Sequence, residues 1–465
     1  MKDKFLLNTK AFSLIELLVV MVIFMFILMV SASAFESVIK ISSGLTKSAQ
    51  TQMEGVVGLE ILRKDLNAAG YGLPWSFQTA PDPTKYLEAD HGADNPVKGL
   101  SADDFNDAPT NSTTGAVSPP VQPPAVPRAV VLGTVPIAQQ TIYQTKGLTG
   151  SARMNSNPGS DYLVIKSAAV AFNNSVGKWG YVNYSGNQTS NESYIAKWNS
   201  SEDFVGNEVV VTLRNTFSGT NQAQHVLAME DATSFSYKLN TATKDAAGHF
   251  VPPDTAPDDT DYKPSGNLID PFGAKINNEK LITYAIKSSS ASNTDALRMP
   301  FNRADYFVMR PSDVKDIPSR CNQGTGILYK TVITNSMVNN SGGGRTFYPL
   351  IDCVGDMQVV FDMQDPIDVN KTITQDNLTG LNAEAIRSRL KTIRVYLLVQ
   401  EGGKDTKYSY PVTDINNVIS VSDERNSSLG RTFSQADMVT YFGSDWNKYR
   451  WKVYSIVGQP YNLLY

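Results

Sequence analysis

The chain has 465 residues, 41% hydrophobic and 18% charged, with a formal net charge of −4. That length exceeds the ~250–300 residues one hydrophobic core usually serves, so at least two lobes are expected, and the balanced composition excludes a wholly disordered chain. An acidic surface gives phosphate backbones little attraction, which argues against a nucleic-acid clamp; no direct nucleic-acid partner is expected.

Residues 1–11 (MKDKFLLNTKA) carry Lys2, Lys4 and Lys10, and Phe12 to Phe35 is a run rich in Leu, Val, Ile, Phe and Met. Length and flanking charge fit one membrane span with its lysines in the cytoplasm and the rest of the chain outside. Glu16 interrupts the run close to its start, and a carboxylate in hydrocarbon costs about 2.5–3.5 kcal/mol even on a lenient scale. No lysine or arginine lies between Phe12 and Phe35 to offset it. A secretory signal cut after Ala32-Ser33-Ala34 is one alternative, but Glu16 breaks what should be an uninterrupted apolar region. An uncut anchor is another, and it leaves Glu16 without a partner.

A helical pattern continues beyond the span, with Val38, Ile41, Leu45, Ala49, Met53, Val56, Leu59, Leu62 and Leu66 at spacings of three and four. It stops at Asn67-Ala68-Ala69-Gly70, followed by Gly72 and Pro74. A helix over 12–68 would be about 85 Å long, so its first half is expected in lipid or a filament core and its second half against a globular region. Gly44, Gly55 and Gly58 lie inside it. They serve either close packing against a neighbour or local bending as the subunit leaves the bilayer.

Thr79–Pro127 is rich in Pro, Asn, Asp, Ser and Thr, and is expected as a long surface excursion. Strand-like segments follow at Asp161–Ser167, Glu208–Leu213, Phe235–Leu239, Leu281–Lys287, Asp305–Arg310, Gly326–Thr334, Asp356–Met363, Thr392–Gln400 and Trp451–Val457, with one short helix near Ala383–Leu390. Turn-rich loops between them predict antiparallel β structure. The expected divisions are a segment 1–11, a stem helix 12–68, an irregular Pro-rich stretch 69–160, a β-rich lobe 161–300 and a second β-rich lobe 301–465.

The run AFSLIELLVV resembles the type IV prepilin signal: a small residue, Ala11, before the cut, an aromatic new N-terminus, Phe12, and a glutamate, Glu16, fifth from it. The family normally has glycine where Ala11 stands. The resemblance implies a leader removed between Ala11 and Phe12 by a prepilin peptidase, N-methylation of Phe12, and a new amine that Glu16 of one subunit neutralises on the next. Losing Lys2, Lys4, Lys10 and Asp3 would leave 38 basic and 44 acidic residues. LRKDLNAAGYG at 62–72 is similar to the helix exit of large PilW-type minor pilins, LIDCVGDMQVVF at 350–361 to their central helix-turn and strand, and RLKTIRVYLLV at 389–399 to the strand that follows. The implied fold is α+β and type IV pilin-like, a long N-terminal helix before a large, mostly antiparallel β region. The implied partners are other major and minor pilins, the inner-membrane assembly platform and a tip adhesin. The implied location is the inner membrane, C-terminal region periplasmic, then an extracellular filament.

Cys321 and Cys353 both lie in the region that would face an oxidising compartment, so a disulfide is expected, with two buried thiols as the alternative. Asp254, Asp258, Asp259 and Asp261 offer hard oxygen ligands for calcium but lack EF-hand spacing; a solvated loop is the plainer reading. His91, His225 and His249 are scattered, and Gly342-Gly343-Gly344 lacks the lysine and helix of a phosphate loop, so neither an enzyme nor a cofactor is expected. A minor pilin that initiates assembly or forms the tip is the leading function. The alternatives are a type II secretion pseudopilin and a helix-mounted adhesin, for which Trp179, Tyr181 and Tyr184 would stack on carbohydrate.

Overall fold

A computed structural model of the protein describes residues 14–77, 86–88, 105–108, 126–134, 142–144, 151–153, 159–184, 193–217, 223–229, 235–241, 244–245, 247–252, 280–288, 297–310, 317–335 and 345–463. The chain divides into two units, Met1–Met53 and Glu54–Tyr465.

Helix α1 (Leu14–Asn67) supplies the first unit and continues into the second. No proline interrupts it, so every interior amide can complete its hydrogen bond. In the first unit, Leu14–Phe35 is exposed, apolar and long enough to cross a membrane.

In the second unit α1 ends where Gly70 and Gly72 take left-handed backbone conformations, with φ of 80° and 66°. Leu62 and Leu66 are fully buried there. A side chain at Gly58 would bring its Cβ within 2.5 Å of the Leu350 carbonyl oxygen, so helix and strand meet through the missing methyl. Gly55 has open space around it. Close packing therefore accounts for Gly58; the surroundings of Gly44 lie outside the described residues.

The strands are β1 (Ser76–Phe77), β2 (Val130–Thr134), β3 (Ile142–Gln144), β4 (Ser151–Arg153), β5 (Asp161–Ser167), β6 (Trp179–Tyr184), β7 (Ser193–Ile195), β8 (Glu208–Phe217), β9 (Ala223–Leu227) and β10 (Tyr237–Lys238). They continue with β11 (Lys280–Ser288), β12 (Asn302–Met309), β13 (Gly326–Ile333), β14 (Arg345–Gln364), β15 (Thr372–Gln375), β16 (Leu390–Glu401), β17 (Ile419–Asp423), β18 (Asn426–Phe433) and β19 (Arg450–Gly458). Two short helices, α2 (Ala383–Arg389) and α3 (Gln435–Phe442), interrupt the second half. Of the two large sheets one runs β1-β9-β8-β11-β6-β7 with β10 on β8 and the other β19-β16-β14-β13-β12-β5-β2 with β15 on β14, while β3–β4 and β17–β18 form two-stranded sheets. Apart from the parallel pair β1–β9, the pairings are antiparallel. An apolar helix followed by a large, mostly antiparallel β region makes the fold α+β.

The larger sheet is buried on both faces at its centre. Leu163 and Ile165 of β5 and Tyr306 and Val308 of β12 join one core with Leu62 and Leu66 of α1 and Val209 and Val211 of β8. Their neighbours Tyr162, Val164, Phe307 and Met309 form a second core on the opposite face. The hairpin β17–β18 and α3 cover β14 and β16, burying Val360, Tyr396 and Leu398. Two-sided burial explains why β5 and β12 do not alternate strictly between apolar and polar residues.

Two expectations are corrected. The segment 350–361 is not a helix-turn and strand; it lies wholly within β14. Its break in pattern is a bulge between Val354 and Asp356, beside Cys353 at a φ of 57°. The stretch 79–127 is not all surface: Tyr86–Glu88 and Phe105–Ala108 are buried, because their carboxylates meet cations of β5 and β12.

Candidate functional site

Ala11 and Phe12 lie outside the described residues. Glu16 sits exposed in the first turn of α1, where the positive end of the helix dipole favours a carboxylate. The aspartates 254, 258, 259 and 261 and His91 also lie outside the described residues. Among the described residues no group of three or more His, Cys, Asp or Glu could hold a metal.

The helix exit is fixed by polar contacts at its last turn. Asp65 accepts from Tyr306 Oη at 2.7 Å and pairs with Lys330 Nζ at 2.5 Å, all three buried. Burial raises the Asp65 carboxyl and lowers the Lys330 ammonium, and each is opposed by the charge of the other. Asn67 Oδ1 accepts from the Gln459 amide at 2.8 Å, tying α1 to the segment after β19. Gly70 donates to the Lys166 carbonyl at 3.1 Å, and Leu463 fills the space a Gly70 side chain would need.

A second network fastens the buried pieces of the Pro-rich stretch to the sheet. Lys166 Nζ contacts Glu88 at 2.7 Å and Asp107 at 2.5 Å, and Arg303 contacts Glu88 at 3.1 Å and Asp305 at 2.7 Å. Arg345 closes on Asp305 at 2.8 Å, as does Tyr162 Oη at 2.6 Å. Desolvation alone would raise Asp305, yet Arg303 and Arg345 bring it down to about 2. Removing one partner would strand the others without water, which is why such a network holds as a unit.

Cys321 and Cys353 are joined in a disulfide, with Cα atoms 5.0 Å apart, and bury with Ile317. Close by in the strand, Asp356 is fully buried, takes a hydrogen bond from Gln358 Nε2 at 3.1 Å on one oxygen and keeps the other without a partner. Burial pushes its carboxyl up to about 7 against the pull of Arg431, Gln358 and Ser160.

His225 and His249 each contact neighbouring side chains. His225 stacks on Trp75 at 4.0 Å, and burial beside Arg387 holds its imidazole down at about 4. His249 Nδ1 lies 2.7 Å from Asp245 on a loop. Trp179 and Tyr181 are half-buried and meet at 5.2 Å, with the exposed Trp198 at 4.9 Å and 6.1 Å from them. Asp65, Lys166, Arg303 and Asp305 escape a reading of the sequence, although charged residues within apolar strand runs are the signal that marks the last three.

Among the described residues one helical segment, Leu14–Phe35, is long and apolar enough to cross a membrane, and it precedes a large β region. Residues 6–32 match the prokaryotic N-terminal methylation motif, which supports a type IV pilin-like protein. The motif implies processing by a prepilin peptidase and assembly with other pilins. No curated protein and no solved structure matches the chain.

Proposed function

We propose that this chain is a minor pilin that helps initiate a type IV pilus or forms part of its tip complex. The observation that carries the proposal is the methylation motif on an exposed apolar helix, followed by a β region much larger than the helix that bears it. A repeated shaft subunit must pack its heads around a slender fibre, whereas a tip subunit is free of that constraint. The role is structural rather than enzymatic.

In this reading the peptidase cuts between Ala11 and Phe12 on the cytoplasmic side, with the β region in the periplasm. The freed amine of Phe12 is a cation at the membrane core, and Glu16 of one subunit meets it on the next. A charge that is costly in lipid becomes a contact that sets the register of neighbouring helices. The inner-membrane assembly platform, the other pilins and a tip adhesin are the partners, and the finished filament is extracellular.

Deletion of the gene is expected to abolish or shorten pili. The wild-type chain should restore them, while Glu16→Ala should insert into the membrane at wild-type level and fail to restore them. Full restoration by Glu16→Ala would remove Glu16 from assembly. Normal pili with a loss of protein secretion would instead assign the chain to a type II secretion pseudopilus.

A further inference from the structure

We infer that a cleft at the seam of the two sheets binds one pyranose ring of a glycan. The cleft is about 190 Å³ and lies where the end of β11, the start of β12, the end of β13, the start of β14 and the loop at 171–173 converge. Seams between packed units are where ligand pockets most often form.

The chemistry of the lining selects the ligand. Phe172 and Tyr348 meet edge to face at 4.7 Å and present an aromatic wall. Phe172 stays 45% exposed although Lys330 Nζ holds its ring from 3.9 Å. The polar floor is rigid: Asn302 Nδ2 donates to the carbonyls of Ala168 and Ile286, both at 3.1 Å, and Asn335 Nδ2 to those of Met299 and Phe301 at 2.8 and 2.7 Å. Those amides are spent on the backbone, so hydrogen bonding toward a ligand falls to the hydroxyls of Thr334, Thr346 and Tyr348.

Among the described residues that line the cleft none is acidic, which disfavours a cationic ligand. A phosphate-like anion would have no use for two aromatic rings. A purely apolar ligand would desolvate the hydroxyls without pairing them. A pyranose satisfies both halves of the site, with one C–H face for the aromatic wall and a rim of hydroxyls for the threonines. The pre-set floor lowers the ordering cost of binding.

The test is saturation-transfer NMR on the full-length protein in detergent micelles, with methyl α-glucopyranoside, N-acetylglucosamine and galacturonic acid as probes. At least one sugar is expected to receive saturation, strongest at the ring protons of one face. Phe172→Ala should reduce that transfer at least fivefold and Thr346→Val should reduce it severalfold, both with wild-type melting temperatures. No transfer to any of the three sugars, or transfer unchanged in Phe172→Ala, would overturn the inference.

Discussion

Asp356→Asn should make the protein more stable at alkaline pH and leave it nearly unchanged in acid. In the folded chain the Asp356 carboxyl keeps its proton up to about pH 7, whereas the unfolded chain releases it near 3.8. The native state therefore binds more protons across that window, so the stability this group contributes is fully present below pH 3.8 and is lost as pH rises through 7. At ~1.4 kcal/mol per pH unit the loss approaches about 4 kcal/mol, an upper bound that any water reaching the second carboxylate oxygen would reduce. Asparagine has the same shape, still accepts the bond from Gln358 and cannot ionise. Guanidinium denaturation of wild type and Asp356→Asn, followed by tryptophan fluorescence at pH 4, 6 and 8, isolates the group because all other titrations cancel in the difference. The variant should sit within about 1 kcal/mol of wild type at pH 4 and lead it by ~2–4 kcal/mol at pH 8. A difference that is constant with pH, or a variant weaker at pH 8, would refute the reasoning.

Two glycines of α1 should respond in opposite directions. Gly58→Leu forces helix and β14 apart and should cost ~1–3 kcal/mol or more, while Gly55→Ala, in open space, should gain up to ~1 kcal/mol from helix propensity; circular dichroism melts of both variants check this. Alkylation of the unfolded protein without reductant should add no mass to Cys321 or Cys353, and reduction should lower stability by about 3–4 kcal/mol for the loop they close. Two alkyl groups added before reduction would contradict the pairing.

Much of the fold was legible because strands announce themselves locally. Asp161–Ser167 and Trp451–Val457 stand out as short β-branched or aromatic runs between turn residues, and both are strands, the second one residue longer at each end. Partnership was not legible. β5 precedes β6 in the chain yet pairs with β2 and β12, a choice made by long-range burial that no local pattern encodes. The hairpin β17–β18 escaped notice because β18 reads NSSLGRTF, too polar for a strand, and is held by its partner rather than by propensity. Glu16 stood out because an acid is rare in an apolar run. Lys166 and Arg303 stand within strand runs, but their partners come from distant segments and become evident only once two faces of a sheet close over them.

The proposed role depends on cleavage before Phe12 and entry into a filament through the N-terminal helix. Mass spectrometry of the N-terminal peptide from protein isolated from its native membrane tests this directly. The expected peptide begins at N-methylated Phe12. A mature chain beginning at Phe35, the product of cleavage after Ala32-Ser33-Ala34, would contradict it.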